Sequence, residues 1–268
     1  MRAVAALRDY RGKVAIVTGA SAGIGRLLAL RLAAEGARVA LVARRVEPLQ
    51  SVADEIARSG GEAIALPCDV AVRRDVLAAA ERAQASFGAV DLLVNNAGHG
   101  HHRHFVDLSL DEIERLLQVN LLGSIYWTKA VLPQMIERRR GWIVFMASVA
   151  GKIGVPDESV YVASKFALVG LAESLSLEVE DAGVHVMTVC PGAVDTAFFD
   201  DDARARMPEV AKRTMISASV VVDATIAGLA RGKREVTVPR FITAGYLVRA
   251  IAPELMRRNV RRTTRGRL

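Results

Sequence analysis

Cysteine is scarce: the 268 residues hold two, Cys68 and Cys190. Neither has a neighbour at metal-ligand spacing, so nothing suggests a zinc site or a disulfide framework. Each follows an apolar segment and reads as a small hydrophobe at a strand end. Long hydrophobic runs are also missing. No uninterrupted apolar stretch reaches the roughly 18 residues that a membrane span needs. The N-terminal run from Ala3 to Leu7 is too short for a signal-peptide core, and no small-residue cleavage site follows it. A cytoplasmic protein is expected. Internal repeats and low-complexity linkers are absent too, which leaves one domain. Acidic residues are absent from residues 257–268, which carry Arg257, Arg258, Arg261, Arg262, Arg265 and Arg267. Without those six the 36 basic residues fall to 30, against 29 acidic, so the net charge of +7 belongs to the tail. The basicity is thus a tail property and not a binding face of the whole domain, and no nucleic-acid partner is expected.

What is present is an alternation. Short runs rich in Val, Ile, Leu and Ala predict strands at 14–18, 38–43, 63–67, 91–94, 142–147, 184–189 and 235–238. Their near-continuous hydrophobicity suits strands buried on both faces. Amphipathic stretches between them predict helices at 24–35, 47–59, 73–87, 110–138, 160–181 and 218–231. Gly36, Gly60 and Gly183 follow helix ends, and Ser109 with Glu112 forms a capping-box pattern. Strict β-α-β alternation predicts a single doubly wound, Rossmann-like α/β domain over residues 1–240. It has a seven-stranded parallel sheet with helices on both faces. Residues 197–215 break the rhythm and are expected to form a mobile lid. Residues 241–268 form an appendage, an apolar segment followed by the arginine run, with Pro253 suited to start a short helix. Its apolar part is expected to pack on the domain or a neighbouring subunit, with the arginines as a disordered solvated tail. The alternative is a peripheral membrane contact of apolar residues flanked by guanidiniums.

Two groups of residues carry chemistry. The first strand runs into Thr18-Gly19-Ala20-Ser21-Ala22-Gly23-Ile24-Gly25, which opens a helix. Glycines permit the tight turn and a close backbone approach. The helix N-terminus then offers unpaired N–H groups to a pyrophosphate, and Gly25 lets the helix pack closely on the sheet. The spacing departs from the usual Gly-x-Gly-x2-Gly. After the second strand, where an NAD-selective site places an acid, stand Ala43, Arg44 and Arg45. Two guanidiniums there suit a 2′-phosphate, so NADP(H) is the expected cofactor, with NAD(H) the alternative. The second group is Asn120, Ser148, Tyr161 and Lys165. Tyr161 and Lys165 lie four apart and so share a helix face. A phenol of pKa about 10 is a poor base near neutrality, and a nearby cation lowers that pKa.

Taken together, the glycine turn, Asn95-Asn96-Ala97-Gly98, Ser148, Tyr161-x3-Lys165 and Pro191-Gly192 with Thr196 resemble the short-chain dehydrogenase/reductase family, from about Gly12 to Val238. The resemblance implies hydride transfer between a nicotinamide cofactor and a carbonyl or secondary alcohol. In it Ser148 polarises the carbonyl, Tyr161 moves the proton, Lys165 lowers the Tyr161 pKa and binds the nicotinamide ribose, and Asn120 holds a relay water. It also implies cofactor contacts from Gly19, Ser21, Gly23, Ile24, Gly25, Arg44, Arg45, Asp69, Val70, Asn96, Ala97, Gly98, Pro191, Gly192, Val194 and Thr196. Asp69 would touch the adenine, and Thr196 would sit near the carboxamide. Many NADP-using members also have a basic residue where this chain has Ala22, so the preference rests on Arg44 and Arg45. The resemblance also implies that the long helices at 110–138 and 160–181 pair between subunits, giving a homodimer or homotetramer. The substrate is expected to be a small lipophilic carbonyl or alcohol, with Phe105, Val155, Phe198, Phe199 and Met207 as candidate walls. His99, His101, His102 and His104 crowd one loop. Without spaced carboxylates or cysteines they read as polar substrate-loop residues rather than metal ligands.

Overall fold

The computed structural model describes residues 6–207 and 209–264. Seven parallel strands form one sheet in the order β3-β2-β1-β4-β5-β6-β9. They are β1 (Val14–Thr18), β2 (Arg38–Ala43), β3 (Glu62–Pro67), β4 (Leu92–Asn95), β5 (Gly141–Met146), β6 (Val184–Pro191) and β9 (Glu235–Val238). Each expected strand is found, with ends shifted by two residues at most. β1, β4, β5 and β6 are buried along their whole length, as their unbroken apolar sequences require. A separate parallel pair, β7 (Val194–Asp195) with β8 (Ile216–Ser217), was not expected.

Helices α1 (Gly23–Ala34), α2 (Val46–Arg58), α3 (Arg73–Phe87), α4 (Leu110–Leu117), α5 (Gly123–Glu137), α6 (Ser159–Val179) and α9 (Ala218–Ala230) cover the sheet. Two apolar clusters result. One joins α1, α2 and α9 to the sheet, and the other joins α3, α5 and α6 around Trp127 and Phe145. The single helix expected over 110–138 is interrupted: residues Gln118–Leu122 form a π-helical turn between α4 and α5. Single extra-residue turns of this kind concentrate at functional sites, and Asn120 sits inside this one. By length and composition alone α6 could cross a membrane. Lys165, Glu173 and Glu178 break its apolar run, and its buried residues, among them Leu168 and Ala172, belong to the core.

The stretch expected as a mobile lid contains two short helices, α7 (Asp201–Arg206) and α8 (Glu209–Arg213), between β7 and β8. The arginine tail is not a disordered run where it is described: α10 (Thr243–Ile251) is followed by α11 (Pro253–Thr264), which starts at Pro253 and carries Arg257, Arg258, Arg261 and Arg262. Arg265 and Arg267 lie outside the described residues.

Candidate active site

The strand order reverses between β1 and β4, and the crevice lies beyond the carboxyl ends of these strands. A cavity of about 630 Å³ opens there. At one end, Gly19 (φ +68°) turns the chain out of β1. A Cβ on Gly19 would meet the Asn96 amide nitrogen at 2.8 Å, and one on Gly25 would meet the Gly19 carbonyl oxygen at 2.3 Å. Gly25 therefore packs against the turn, not the sheet, and it does not line the cavity. Thr18, to which the sequence assigns no role, ties this corner together. Its hydroxyl donates to the Val94 carbonyl (3.2 Å) and accepts from the backbone N–H groups of Asn96 (2.9 Å) and Ala97 (3.0 Å). The Asn96 amide donates to the Thr18 carbonyl at 2.9 Å, so its side chain braces the turn while the residue lines the cavity. No local sequence pattern pairs Thr18 with Asn96; parallel pairing of β1 with β4 does.

Gly19, Ser21, Gly23, Ile24, Arg44, Arg45, Asp69, Val70, Ala97, Gly98, Pro191, Gly192, Val194 and Thr196 all border the same cavity. Ala43 is buried, and Arg44 and Arg45 are exposed just beyond β2. Among the described residues neither guanidinium forms an ion pair with a carboxylate. The Asp69 carboxylate, by contrast, is occupied: Arg115 from α4 pairs with one oxygen and the Ala71 N–H donates to the other at 3.0 Å. Although burial works the other way, these contacts hold Asp69 below the ordinary carboxylate range.

At the other end, α6 places Tyr161 and Lys165 on the cavity wall beside Ser148, which follows β5. The Tyr161 and Ser148 hydroxyls are neighbours on that wall, and Ser148 Oγ donates to the Pro191 carbonyl at 3.5 Å. Ser148 Oγ also accepts from the Ala150 N–H at 3.1 Å. The Lys165 ammonium donates to the Met146 carbonyl at 2.9 Å and lies 5.5 Å from the Tyr161 ring centre. One expectation is corrected here. Burial raises the Tyr161 pKa instead of leaving it lowered, with the neighbouring Ser148 hydroxyl opposing in part. Burial also brings Lys165 down to about 8. The low-dielectric wall penalises the charged form of each group.

Asn120 is fully buried and lies behind the wall, not on it. Its carbonyl oxygen accepts from the His99 N–H at 3.0 Å, and its amide donates to the His99 carbonyl at 2.8 Å and to Ser164 Oγ at 3.2 Å. A Cβ on Gly98 would touch Asn120 Oδ1 at 3.2 Å and Lys165 Nζ at 3.5 Å. The π-turn thus brings Asn120 against the loop after β4 and against α6.

Of the expected pocket walls, Val155, Phe198, Phe199 and Met207 border the cavity, while Phe105 is 61% exposed and does not. The four histidines separate. His99 and His102 line the cavity; His101 and His104 do not. His102 Nδ1 pairs with Glu158, and His104 Nδ1 lies 2.6 Å from Asp157. Burial pushes His99 down to about 4.

A doubly wound sheet whose crevice joins a glycine turn to a half-buried Tyr161 between buried Ser148 and Lys165 has the layout of a dinucleotide-dependent oxidoreductase. Comparison with known proteins agrees. Residues 13–206 match the family model described as short chain dehydrogenase. The chain is 39% identical over 200 residues to a ketoacyl reductase, HetN, of Nostoc, covering 75% of this chain and 70% of that protein. It superposes with a TM-score of 0.74 on a metagenomic short-chain oxidoreductase solved with NADP, at 35% identity over 86% of this chain and 97% of that one. With a Burkholderia phymatum short chain dehydrogenase/reductase solved with NAD the TM-score is 0.84, at 29% identity over 93% and 96%. This chain belongs to the short-chain dehydrogenase family and is an oxidoreductase.

Proposed function

We propose that the protein reduces a small lipophilic carbonyl with NADPH, Tyr161 acting as general acid and, in the reverse direction, as general base. The observation that carries the reading is the Ser148–Tyr161–Lys165 group on the wall of a cavity that also reaches the glycine turn. The residues at the turn suit a dinucleotide: a cradle that Cβ atoms would fill at Gly19 and Gly25, and two exposed arginines where a ribose-binding acid would stand. When bound, the nicotinamide supplies the hydride. Ser148 and Tyr161 hold the carbonyl oxygen between their hydroxyls. Tyr161 is protonated at neutral pH, the ordinary state of a phenol that burial reinforces, and this suits the donor role in reduction. Lys165, mostly charged below about 8, stabilises the phenolate left behind. Gly19 to Ile24 would hold the pyrophosphate, Arg44 and Arg45 the 2′-phosphate, and Thr196 the carboxamide side. Asn120 would order the loop behind Lys165. The side chains of Phe198, Phe199, Met207 and Val155 supply an apolar wall for the substrate.

The test is NADPH and NADH consumption with a panel of steroid ketones, aliphatic ketones, aldehydes and β-ketoacyl thioesters. Turnover with at least one lipophilic carbonyl, faster with NADPH, supports the reading. No turnover with any, despite NADPH binding, would refute it.

The same reading includes assembly through α5 and α6, supported by Ile136 (41%) and Leu177 (69%) exposed on them. A cytoplasmic location is included too, and two unpaired cysteines are compatible with it. In the appendage, Ala244, Leu247, Val248 and Ile251 form an exposed stripe at helical spacing, close in sequence to the arginines of α11. That stripe suits an anionic membrane surface or a neighbouring subunit. Salt-sensitive co-sedimentation with anionic vesicles, lost on truncation after Met256, would support the membrane.

A further inference from the structure

We propose that His102 is a positioning residue for this reaction: it bridges Glu158 to the backbone of Phe198, and so holds the segment after β7 against Tyr161 and sets the fit of the carbonyl substrate. The proposal rests on the reading of the cavity as the carbonyl site.

His102 is buried, at 8% exposure, and lies in the left-handed region (φ +52°), uncommon for a non-glycine residue. Its Nδ1 pairs with a Glu158 carboxylate oxygen at the start of α6, three residues before Tyr161. Its Nε2 lies 3.3 Å from the Phe198 carbonyl oxygen. Its ring is edge-on to Phe198 (5.2 Å between centres) and tilted on Phe199 (4.9 Å), and the Phe198 ring lies 5.5 Å from that of Tyr161. Gly100 leaves room for this stack, since a Cβ there would meet His102 and Phe198 at 3.2 Å each. A second pair, His104 with Asp157 (φ +65°), ties the same two loops alongside. One imidazole thus joins the loop after β4, the start of the catalytic helix and the lid.

Proton counting gives the bridge a property that packing alone would not have. Both partners of the ring are acceptors, a carboxylate and a carbonyl. A neutral imidazole has one N–H and can satisfy one of them; the imidazolium satisfies both. The second Glu158 oxygen is buried without a partner, so His102 is the main compensation for that charge. The charged and titratable groups around the ring are Glu158 and Tyr161 from α6, Asp157 with His104 beside it, and Asp200 ahead of α7. Burial disfavours the imidazolium, but Glu158, the Phe198 carbonyl and Asp200 outweigh it, and the His102 pKa is raised above its ordinary value. The bridge is complete below that raised value and loses its Phe198 bond as pH climbs past it.

The experiment measures KM and kcat for the best carbonyl of the panel across neutral to alkaline pH in wild type, Glu158→Gln and His102→Asn. Hydrogen exchange of residues 198–207, corrected for intrinsic rates, is followed in the same proteins without ligand. Asparagine tolerates the left-handed backbone and can still donate to Glu158, but it is too short to reach Phe198. In wild type, KM and lid exchange should rise together on the alkaline side, KM by roughly 10-fold, as for one lost hydrogen bond to a charged group. In Glu158→Gln that rise should move to lower pH, while the kcat limb set by Lys165 stays where it is. In His102→Asn, KM should be raised at every pH and lid exchange fast throughout, with NADPH affinity unchanged. Superimposable profiles for Glu158→Gln and wild type, or wild-type KM and exchange in His102→Asn, would overturn the proposal. If wild type reduces no carbonyl, the reading of the function fails, and the exchange data alone decide whether the bridge exists.

Discussion

Lys165 gives the sharpest prediction, because the structure sets its catalytic value against its cost. The ammonium is buried on the cavity wall, and burial brings its pKa from 10.5 to about 8. Each tenfold change in proton affinity is worth about 1.4 kcal/mol, so holding this charge in the folded protein costs roughly 3 kcal/mol at neutral pH. Lys165→Met removes the charge and keeps most of the volume. It also removes the donor to the Met146 carbonyl, which returns about 1–3 kcal/mol of that gain as an unmade hydrogen bond. The balance is a stabilisation of about 1 kcal/mol, or a melting-temperature rise of about 2–4 °C for a domain of this size. The sign against pH follows from the lowered folded-state value. Between about 8 and 10.5 the unfolded chain binds the proton that the folded protein has released. Wild-type stability from this group therefore rises with pH, and the advantage of the methionine variant shrinks across that window. Thermal melts of both proteins without cofactor, at pH near 7 and near 9.5, measure this. Turnover of the variant should fall by about 100-fold or more, since the phenolate loses its cation. A variant less stable than wild type at neutral pH, or a difference that grows with pH, would refute the burial argument.

Three further outcomes are expected. Tyr161→Phe should lower turnover by roughly 100-fold or more with NADPH affinity little changed, and activity within a few-fold of wild type would exclude Tyr161 as the proton donor. Arg44→Ala should weaken NADPH by about 1.5–3 kcal/mol and NADH far less, which fluorescence titration of both cofactors will show; equal losses would mean that Arg44 does not read the phosphate. Light scattering at micromolar concentration should give a dimer or tetramer mass, and a monomer would refute pairing through α5 and α6.

Much of this protein was legible in the chain. Strands buried on both faces have to be unbroken runs of Val, Ile, Leu and Ala, and a helix between two strands has to carry the chain back to the end where the next one starts, so alternation alone specified the parallel sheet. Ser109 and Glu112 form the capping box that their spacing announced, and Pro253 opens a helix as its missing N–H permits. Tyr161 and Lys165 share a wall because residues four apart on a helix must. Tertiary structure decided the rest, wherever the partners come from separate strands. Thr18 and Asn96 meet only because β1 lies beside β4. The π-turn at Asn120 was not legible either, because residues 110–138 read as one helix. The four histidines looked alike in sequence; only the approach of Glu158, Asp157 and Phe198 from distant segments made His102 a bridge and left His99 in the wall. The direction of the Tyr161 and Lys165 shifts was beyond the sequence for the same reason. Spacing brings two groups together, but only the surrounding fold determines how much water is left to stabilise their charges.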